Sequence, residues 1–380
     1  MKFSRLTIFL LGDAISPHIK KIWRNMNDRG HDVIVFTRKM DPDWEGKQVR
    51  LIDVPRGLLA YILFPFAAIA NALIIKLWVY IYRPKDTIIH AHWPYTYGLV
   101  ARLTGEKYFV SVWGGDVFYH SKKNPILKLV NQFVFSGSYK VLTTTEHMKS
   151  TILKEYSLPA NKVIRIAWGV ALSDINKKLT NKKEVIKKFK SKYSIPTDAT
   201  IVTHIRQASP AYNIDIIIEA AKRLLLQNKN LYFIFIAYKA SQKNSLNSKI
   251  QKFPREIINR IRILPMLSKE EWYDLLISTD IAISIPNFDQ FGTSVLESMA
   301  CGCIPVVSNL DVYKTYLKDG INAFIFKKDE GIEGLSRTLL YIIPKVKDLK
   351  RTFHKINLKI IRENEDEEKC MSKLEEVYMT

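Results

Sequence analysis

Residues 289–307 have the sequence DQFGTSVLESMACGCIPVV, and this stretch decides our interpretation of the fold. Asp289 and Glu297 stand eight positions apart, on either side of a Gly-Thr-Ser turn. The apolar residues after the turn have helical spacing, a Gly302-x-x-Pro305 break follows, and Val306 opens an apolar run. The pattern predicts a loop, a helix and the next strand of an α/β sheet.

The start of this predicted helix is suited to bind an anion. Thr293 or Ser294, after Gly292, is expected to cap the helix, and its first free N–H groups then face a negatively charged ligand. The carboxylates of Asp289 and Glu297 are better suited to accept hydrogen bonds from hydroxyl groups of the same ligand. A phosphate combined with many hydroxyls describes a nucleotide sugar.

The stretch resembles the acidic-x7-acidic signature of glycosyltransferase family 4. The usual signature has Glu at both ends; here 296–302 matches it closely, and Asp289 replaces the first Glu. The resemblance implies the GT-B fold, two Rossmann-like domains facing a central cleft. It also implies a retaining, metal-independent transferase with a UDP- or GDP-sugar as substrate and no other cofactor. Asp289 would orient the sugar, and Glu297 would hold the ribose hydroxyls.

Other positions resemble the donor site of this family. Arg206 follows an apolar strand, where relatives place an arginine on the donor diphosphate, although a surface salt bridge is the alternative. Relatives usually add a lysine six residues later, where this chain has Tyr212. Lys239 is the candidate replacement, although an ordinary solvated lysine is the commoner case. Gly12 follows the first strand, where the backbone lines the cleft floor.

Two motifs in the first half resemble the family's strand-end motifs, HAHW at 90–93 and SVWGGD at 111–116. Many relatives carry a histidine where Trp113 stands, close to the transferred sugar. Without it, Asp116 and His92 become the polar candidates that face the acceptor. A buried structural role for His92 is equally compatible with its position at a strand end.

Composition agrees with a two-domain globular protein. The chain is 47% apolar and 25% charged, which is typical of a globular protein. Its 380 residues are too many for one ordinary hydrophobic core. The net charge of +21 favours an anionic partner such as acidic lipid, a phosphorylated substrate or nucleic acid. Nucleic acid is disfavoured, because the lysines are spread along the chain without aromatic platforms. Three cysteines make neither a disulfide framework nor a metal set.

Alternating strand and helix patterns give the domain organisation. The amino end resembles a secretion signal, but its apolar run of 6–11 is short and leads into a βαβ pattern, so we expect a cytoplasmic protein. We predict an acceptor-binding domain over 1–172, a Lys- and Asn-rich linker over 173–184 and a nucleotide-sugar domain over 185–355. A helix within 356–380 is expected to return to the first domain.

Residues 57–75 contain no charged side chain and meet the minimum length for a membrane span. Spanning is disfavoured, because the strands predicted at 33–36 and 88–91 must join one sheet. Pro65 and Asn71 also divide the run. The segment is therefore a buried helix pair or an amphipathic surface that dips into the membrane. Aromatic and basic neighbours, including Trp78 and Arg83, favour contact with an anionic membrane at its inner face.

The sequence thus predicts a bacterial glycosyltransferase, peripheral on the inner face of the plasma membrane. Its acceptor would be a lipid-linked or saccharide molecule in polysaccharide or glycolipid biosynthesis, such as that of lipopolysaccharide or capsule. A catalytically inactive GT-B scaffold and a basic protein that binds anions or nucleic acid are the alternatives. An epimerase or a phosphorylase would need carboxylates or a cofactor lysine that the sequence does not indicate.

Overall fold

A computed structural model describes residues 5–54, 58–82 and 87–380, with the backbone alone for 58–61. The chain forms two compact units. The first runs to Trp168 and includes Lys369–Thr380, and the second is Gly169–Glu368. Each unit is built on one parallel β-sheet with helices as crossovers.

The first unit contains a seven-stranded sheet of order β3-β2-β1-β4-β5-β6-β7. Apart from the edge strand β3, its strands are mostly apolar and buried, as expected for a parallel sheet. The strands are β1 (Thr7–Leu11), β2 (Asp32–Thr37), β3 (Lys47–Arg50), β4 (Thr87–His92), β5 (Tyr108–Ser111), β6 (Lys140–Thr143) and β7 (Val163–Arg165). The helices are α1 (Pro17–Asp28), α2 (Leu58–Tyr82), α3 (Leu99–Thr104), α4 (Ser121–Lys123), α5 (Pro125–Gly137) and α6 (Glu146–Glu155).

The sequence pattern did not indicate β3. Its residues Lys47-Gln48-Val49-Arg50 are mostly polar, and none of them is fully buried. The strand lies at the edge of the sheet, where it pairs only with β2. An edge strand lacks the continuous apolar run of a central one, so its sequence carries little signal.

The apolar segment, for which a pair of buried helices was one of two predicted alternatives, is one helix, α2. Pro65 lies inside it without ending it. Asn71 does not break it either, because its side-chain amide pairs with the backbone of Ile52, accepting from N–H at 2.8 Å and donating to C=O at 2.9 Å. Of the residues used in that prediction, Gly57 and Arg83 lie outside the described part of the chain.

The second unit contains a six-stranded sheet of order β10-β9-β8-β11-β12-β13. The strands are β8 (Thr200–Gln207), β9 (Leu231–Ile236), β10 (Ile261–Leu264), β11 (Ile281–Ser284), β12 (Ile304–Ser308) and β13 (Phe324–Phe326). The helices are α7 (Leu172–Thr180), α8 (Lys182–Lys192), α9 (Ile214–Gln227), α10 (Ala240–Ile250), α11 (Arg255–Ile258), α12 (Lys269–Ser278), α13 (Thr293–Ala300), α14 (Asp311–Lys314), α15 (Gly331–Ile342) and α16 (Val346–Asn364).

The segment predicted as a linker, 173–184, is helical. It contains most of α7 and the start of α8, both within the second unit. Leu172 and Ile175 bury one face of α7, and Phe189 is buried in α8. The lysines are the solvated faces of these amphipathic helices, and lysine itself favours helix. The segment therefore belongs to two helices, and its predicted role as a linker stays a prediction.

The carboxyl-terminal end forms a further helix, α17 (Glu367–Tyr378), separate from α16. Most of α17 belongs to the first unit. There Glu375 lies 2.9 Å from Nε2 of His31, and the Tyr378 hydroxyl lies 2.6 Å from Nδ1 of His90. Both contacts are buried, so the end of the chain is part of the core of the first unit.

Candidate active site

The two carboxylates of the 289–297 stretch lie at the carboxyl edge of the second sheet. Strand β8 ends beside β11, with Ile281 opposite Val202, and Arg206 stands near the end of β8. The loop after β11 brings Asp289 to this edge, and α13 starts next to it. Ligands of open α/β sheets bind at this edge. We refer to Arg206, Asp289, Ser294 and Glu297 as the charged edge.

The turn into α13 depends on Gly292 rather than on a hydroxyl cap. Gly292 is the N-cap residue with φ of +68°, and a Cβ there would approach the ring of Tyr313 to 2.8 Å. The predicted capping by Thr293 or Ser294 is therefore wrong, since both already lie inside the helix. No described residue accepts a hydrogen bond from the amide of Thr293 or Ser294. Both amides remain available to an anion.

Arg206 is the cation of the charged edge. Its Nη1 donates to the Ser294 hydroxyl at 3.0 Å and lies 3.3 Å from the Asp289 carboxylate. Its guanidinium also stacks on the ring of Tyr212, 4.7 Å from the centroid. Burial lowers the pKa of Arg206, but Asp289, Tyr313 and Tyr212 together raise it by more, so it lies above its ordinary value. The guanidinium is therefore permanently charged and held in one orientation.

Asp289 is oriented by a tyrosine that the sequence did not indicate. The hydroxyl of buried Tyr313 donates to its Oδ2 at 2.5 Å, and the amide of Gln290 donates to Oδ1 at 2.8 Å. Burial and the charge of Asp289 raise the pKa of Tyr313 well above its ordinary value, so the phenol keeps its proton. Asp289 is thus a buried carboxylate whose partners are mainly side chains.

Glu297 is engaged by two residues of α12. Its Oε1 forms an ion pair with the Lys269 ammonium, and its Oε2 accepts from the Trp272 indole N–H at 2.6 Å. Ser268 caps α12 by accepting from the amide of Glu271 at 3.2 Å, which fixes the position of the helix start. Trp272 and Lys269 therefore occupy both oxygens that were predicted to bind ribose.

Tyr212 and Lys239 follow the neighbouring strands β8 and β9 at the same edge of the sheet. Tyr212 stands where relatives have a lysine, and its hydroxyl accepts from Arg206 at 3.4 Å. Lys239 is the N-cap residue of α10, three positions after the end of β9. Its side chain is exposed and has no partner among the described residues. Lys239 can therefore move toward an anion without losing an existing contact.

In the first unit, the ends of β4 and β5 lead into an aromatic cluster. Each strand is followed by a six-residue π-helical turn, at Trp93–Gly98 and Gly115–His120, a rare conformation that recurs at functional sites. Trp93 has φ of +60°, a strained value that costs about 1–3 kcal/mol in a non-glycine residue. Its ring stacks on Trp113 with centroids 4.3 Å apart. We refer to His92, Trp93, Trp113 and Trp168 as the aromatic edge.

Asp116 holds the turn that follows Trp113. Its carboxylate accepts from the backbone amides of Trp113, Gly114 and Val117 at 2.7–3.1 Å. Burial raises the pKa of Asp116 to about 6, although the backbone hydrogen bonds act in the opposite direction. These contacts favour a structural role in the loop, and direct action of Asp116 on an acceptor stays a prediction.

His92 orients Trp113. Its Nδ1 accepts from the Trp113 indole N–H at 3.0 Å, which puts the proton of the neutral ring on Nε2. Burial, with the neighbouring His90 and His18, lowers the pKa of His92 well below its ordinary value. The buried Nε2 has no partner among the described residues. His92 is thus a neutral ring at the aromatic edge, as either sequence interpretation allows.

Gly12 lies at the end of β1 and has a packing reason to be glycine. A Cβ there would stand 2.5 Å from the side chain of Ile19 on α1. Its amide donates to the carbonyl of Phe36 at 3.0 Å. The close approach of α1 explains the glycine, and its predicted role in donor binding stays a prediction.

Both halves of the chain match glycosyltransferase families. Residues 185–352 match the family Glycosyl transferases group 1, and residues 14–169 match the Glycosyl transferase 4-like domain. Together the two matches leave out only the two ends of the chain and the short segment that separates the matches. The chain is a glycosyltransferase of the GT-B type. No curated protein matches the sequence.

Solved structures share the fold of this glycosyltransferase along almost its whole length. A glycosyltransferase from Rickettsia africae ESF-5 is 17% identical with a TM-score of 0.80, over 99% of this chain and 98% of that one. Anabaena Alr3699/HepE in complex with UDP and glucose is 14% identical with a TM-score of 0.75, over 99% and 100%. WaaG, a glycosyltransferase involved in lipopolysaccharide biosynthesis, is 13% identical with a TM-score of 0.71, over 98% and 99%. The predicted α/β class with two Rossmann-like domains is confirmed.

The residues that sequence analysis of this glycosyltransferase missed are those that position the two acids. Tyr313 lies 24 residues after Asp289, and Trp272 lies 25 residues before Glu297. Neither belongs to a local motif. An aromatic residue in the first turn of a helix is typical of a core residue, so no sequence signal distinguished Trp272 from its neighbours.

Proposed function

We propose that this glycosyltransferase belongs to family 4 and transfers a sugar from a UDP- or GDP-sugar with retention at the anomeric carbon. The observation that carries the proposal is the charged edge. Arg206 lies beside two uncapped amides at the start of α13, and the pair of acids lies within the same turn and helix. A diphosphate needs the first set of groups, and sugar hydroxyls need the second. The UDP complexes of Anabaena HepE support this class of donor.

The chemistry requires charge stabilisation more than proton transfer. The bond between the anomeric carbon and the phosphate oxygen breaks, and the acceptor oxygen bonds to that carbon from the same face. The acceptor proton goes to an oxygen of the departing diphosphate. Arg206 and the amides of Thr293 and Ser294 would stabilise the negative charge that develops there. No protein base is needed in this scheme.

The two acids would exchange partners when the donor binds. A ribose hydroxyl would replace the Lys269 contact on Glu297, while Trp272 keeps the other oxygen in place. Asp289 would retain the Tyr313 hydrogen bond and direct its remaining lone pairs to a hydroxyl of the transferred sugar. Its side chain is shorter than the usual Glu, and Tyr313 and Arg206 fix how far it reaches.

For the acceptor, we propose a lipid-linked or saccharide molecule that belongs to bacterial cell-surface polysaccharide or glycolipid. The half-buried Trp93 and Trp113 offer aromatic faces against which the C–H groups of a sugar ring can pack. We also propose that transfer is metal-independent, because Arg206 and helix amides can neutralise the leaving diphosphate.

The test combines binding with product analysis. Purified protein is titrated with UDP, GDP and their common sugar conjugates by calorimetry, in the presence of a chelator. We expect one nucleotide to bind and Arg206→Ala to abolish that binding. NMR of the anomeric proton of the product then reports retention or inversion. An inverted product would contradict the assignment to family 4, and a requirement for added metal would contradict metal independence.

A catalytically inactive GT-B scaffold is the second candidate. The observation that favours it is the full engagement of both acids, since Lys269 and Trp272 occupy Glu297 while Arg206 and Tyr313 occupy Asp289. A scaffold would bind no nucleotide sugar and would release no sugar from any donor, even at high enzyme concentration. Strong retention by heparin together with no nucleotide-sugar binding would instead favour a basic protein that binds anions or nucleic acid.

A further inference from the structure

One side of α2 is an exposed row of large apolar side chains. They recur at intervals of three and four residues, which places them on one side of a helix. Phe66 is 68% exposed and Leu73 is 64% exposed. Ile62–Tyr82 is long and apolar enough to cross a membrane, with a mean hydropathy of 2.0. The row consists of Ile62, Leu63, Phe66, Ile69, Leu73, Leu77, Tyr80 and Ile81.

The opposite side of α2 is fixed to the first unit. Ala68, Ala72, Ile75 and Val79 belong to its hydrophobic core. Asn71 makes two hydrogen bonds to the backbone that follows β3, as described above. Strands β3 and β4, before and after the helix, lie in one sheet. The helix therefore cannot cross a bilayer while the unit stays folded, and only its outer side is available.

Helix α5 carries a second exposed row on the same face of the sheet. Ile126, Leu129 and Phe133 are exposed, with Leu129 at 69%. Helices α2 and α5 bury their other sides in one core cluster, and α3 lies between them. On α3, Leu103 is exposed, and the Arg102 guanidinium lies 4.8 Å from the ring of Phe133. We call the rows of α2 and α5, with Leu103, the apolar face.

The apolar face is bordered by positive charge. Among the described residues of 58–137, the acidic side chains are Glu106, which is half-buried, and Asp116, which is buried. The basic residues of the same range are more numerous, and most are exposed. They are Lys76, Arg102, Lys107, Lys122, Lys123 and Lys128, of which Lys122 pairs with Glu155 at 3.6 Å. Exposed apolar side chains with basic neighbours and few acids are typical of surfaces that bind anionic lipid.

We propose that the apolar face docks in the plane of an anionic lipid bilayer. The rows of α2 and α5 enter the boundary between headgroups and acyl chains, and the surrounding lysines contact lipid phosphates. The sequence predicted contact through 57–75 alone; the structure adds α5 and makes the contact lateral rather than spanning. A second copy of the chain fits less well, because a symmetric interface would bring Lys76 and Lys128 close to other cations. The proposal does not depend on the transfer reaction.

The structure allows a direct test by site-specific labelling. The three native cysteines, Cys301, Cys303 and Cys370, are buried, so a new surface cysteine can be labelled selectively. An environment-sensitive fluorophore is attached at Leu73→Cys, at Leu129→Cys, and at Leu226→Cys as the control. Leu226 is 49% exposed on α9 of the second unit. With phosphatidylglycerol-containing vesicles, we expect a blue shift at the first two positions and none at the control.

Binding is measured in parallel by vesicle sedimentation of the full chain. The double variant Leu73→Asp/Leu129→Asp should lower the partition onto anionic vesicles by about tenfold or more, and Leu226→Asp should leave it unchanged. Lys76→Glu/Lys128→Glu should lower it by about tenfold, with a loss of its salt dependence. Thermal melting of each variant confirms folding, which exposed positions should preserve.

Several outcomes would overturn the proposal. Equal binding to neutral and anionic vesicles would exclude the role of the lysines. Resistance to alkaline carbonate extraction would contradict an in-plane position. Dimerisation in light scattering, abolished by Leu73→Asp in the absence of vesicle binding, would identify a second copy as the partner. A blue shift at Leu73→Cys but not at Leu129→Cys would restrict the contact to α2 and remove α5 from the face.

Discussion

The charged edge of the second unit and the aromatic edge of the first each place an aspartate five positions after a strand. Asp289 follows Ser284 of β11, and Asp116 follows Ser111 of β5. Asp289 is held mainly by the side chains of Arg206 and Tyr313, whereas Asp116 is held by three backbone amides. The same residue type at the same spacing therefore serves two purposes.

The two carboxylates differ in whether a ligand can replace their hydrogen-bond partners. Side-chain partners can rotate away and be replaced by groups of a ligand, at the cost of an exchange of hydrogen bonds. Backbone partners cannot leave without unfolding the turn. Asp289 is therefore suited to a binding site and Asp116 to a scaffold, and position in the sequence alone does not distinguish them.

The largest expected effect concerns the cation of the charged edge. Arg206→Ala should lower kcat/KM by about a thousandfold, because the developing charge on the leaving diphosphate loses its main side-chain donor. Melting should fall as well, because the buried Asp289 keeps the Tyr313 hydrogen bond but loses its cation, so activity is assayed well below the melting midpoint of the variant. Steady-state kinetics with the donor identified by calorimetry would measure the loss.

The matched control for Arg206 is Arg223→Ala on α9, an exposed arginine paired with exposed Glu333. It should leave kcat/KM unchanged, because a surface ion pair contributes little. Similar losses in both variants would mean that the effect comes from net charge. Arg206 would then have no specific role in stabilising the diphosphate.

The second prediction concerns the scaffold role of Asp116. Its folded pKa of about 6 lies above its ordinary value of 3.8, so the folded state holds a proton that the unfolded state has released. The free energy of unfolding should therefore fall as pH rises through this interval. The two pKa values differ by roughly two, which corresponds to a total loss of about 3 kcal/mol. Asp116→Asn removes the titrating group and should remove this slope, whatever it does to absolute stability.

Denaturant unfolding of wild type and Asp116→Asn at several pH values within that interval would measure the two slopes. Parallel slopes would show that Asp116 does not titrate as its burial requires. A large loss of turnover in Asp116→Asn with unchanged melting would return Asp116 to the acceptor site, and the contrast with Asp289 would disappear.

Sequence reasoning was most reliable where backbone chemistry and strand order decide position. The family resemblance placed Arg206 and the 289–297 stretch at one donor site, and both lie at the carboxyl edge of one parallel sheet. Sequence reasoning failed where a side chain that is distant in the sequence contacts the site. The hydroxyl of Tyr313 and the indole of Trp272 reach the acids through tertiary packing, which leaves no local pattern.

Two local features differ from what residue types alone indicated, and each has a physical reason. The lysine-rich segment at 173–184 was predicted as a linker, but lysine favours helix and the spaced apolar residues Leu172 and Ile175 bury one face of α7. The hydroxyl caps predicted for α13 failed for a related reason, since the left-handed conformation of Gly292 already sets the turn.

A third prediction tests whether Tyr313 positions Asp289. Tyr313→Phe removes the O–H donor but keeps the ring, so kcat should fall by about tenfold while KM for the donor stays nearly constant. The matched control is Tyr273→Phe, since that buried hydroxyl has no partner among the described residues. Loss of activity in both variants, or a drop in melting temperature that explains the loss, would argue against a positioning role.

The smallest expected effect concerns the lysine proposed to complete the phosphate clamp. Lys239→Ala should weaken nucleotide binding by about threefold, since an exposed ammonium interacts through solvent and is screened by salt. Lys243→Ala, one turn further along α10 and also exposed, is the control. Calorimetry at low and high salt should separate the two lysines at low salt only. Equal effects would mean that general positive charge attracts the donor, and the diphosphate would then be held by Arg206 and the helix amides without a second clamp residue.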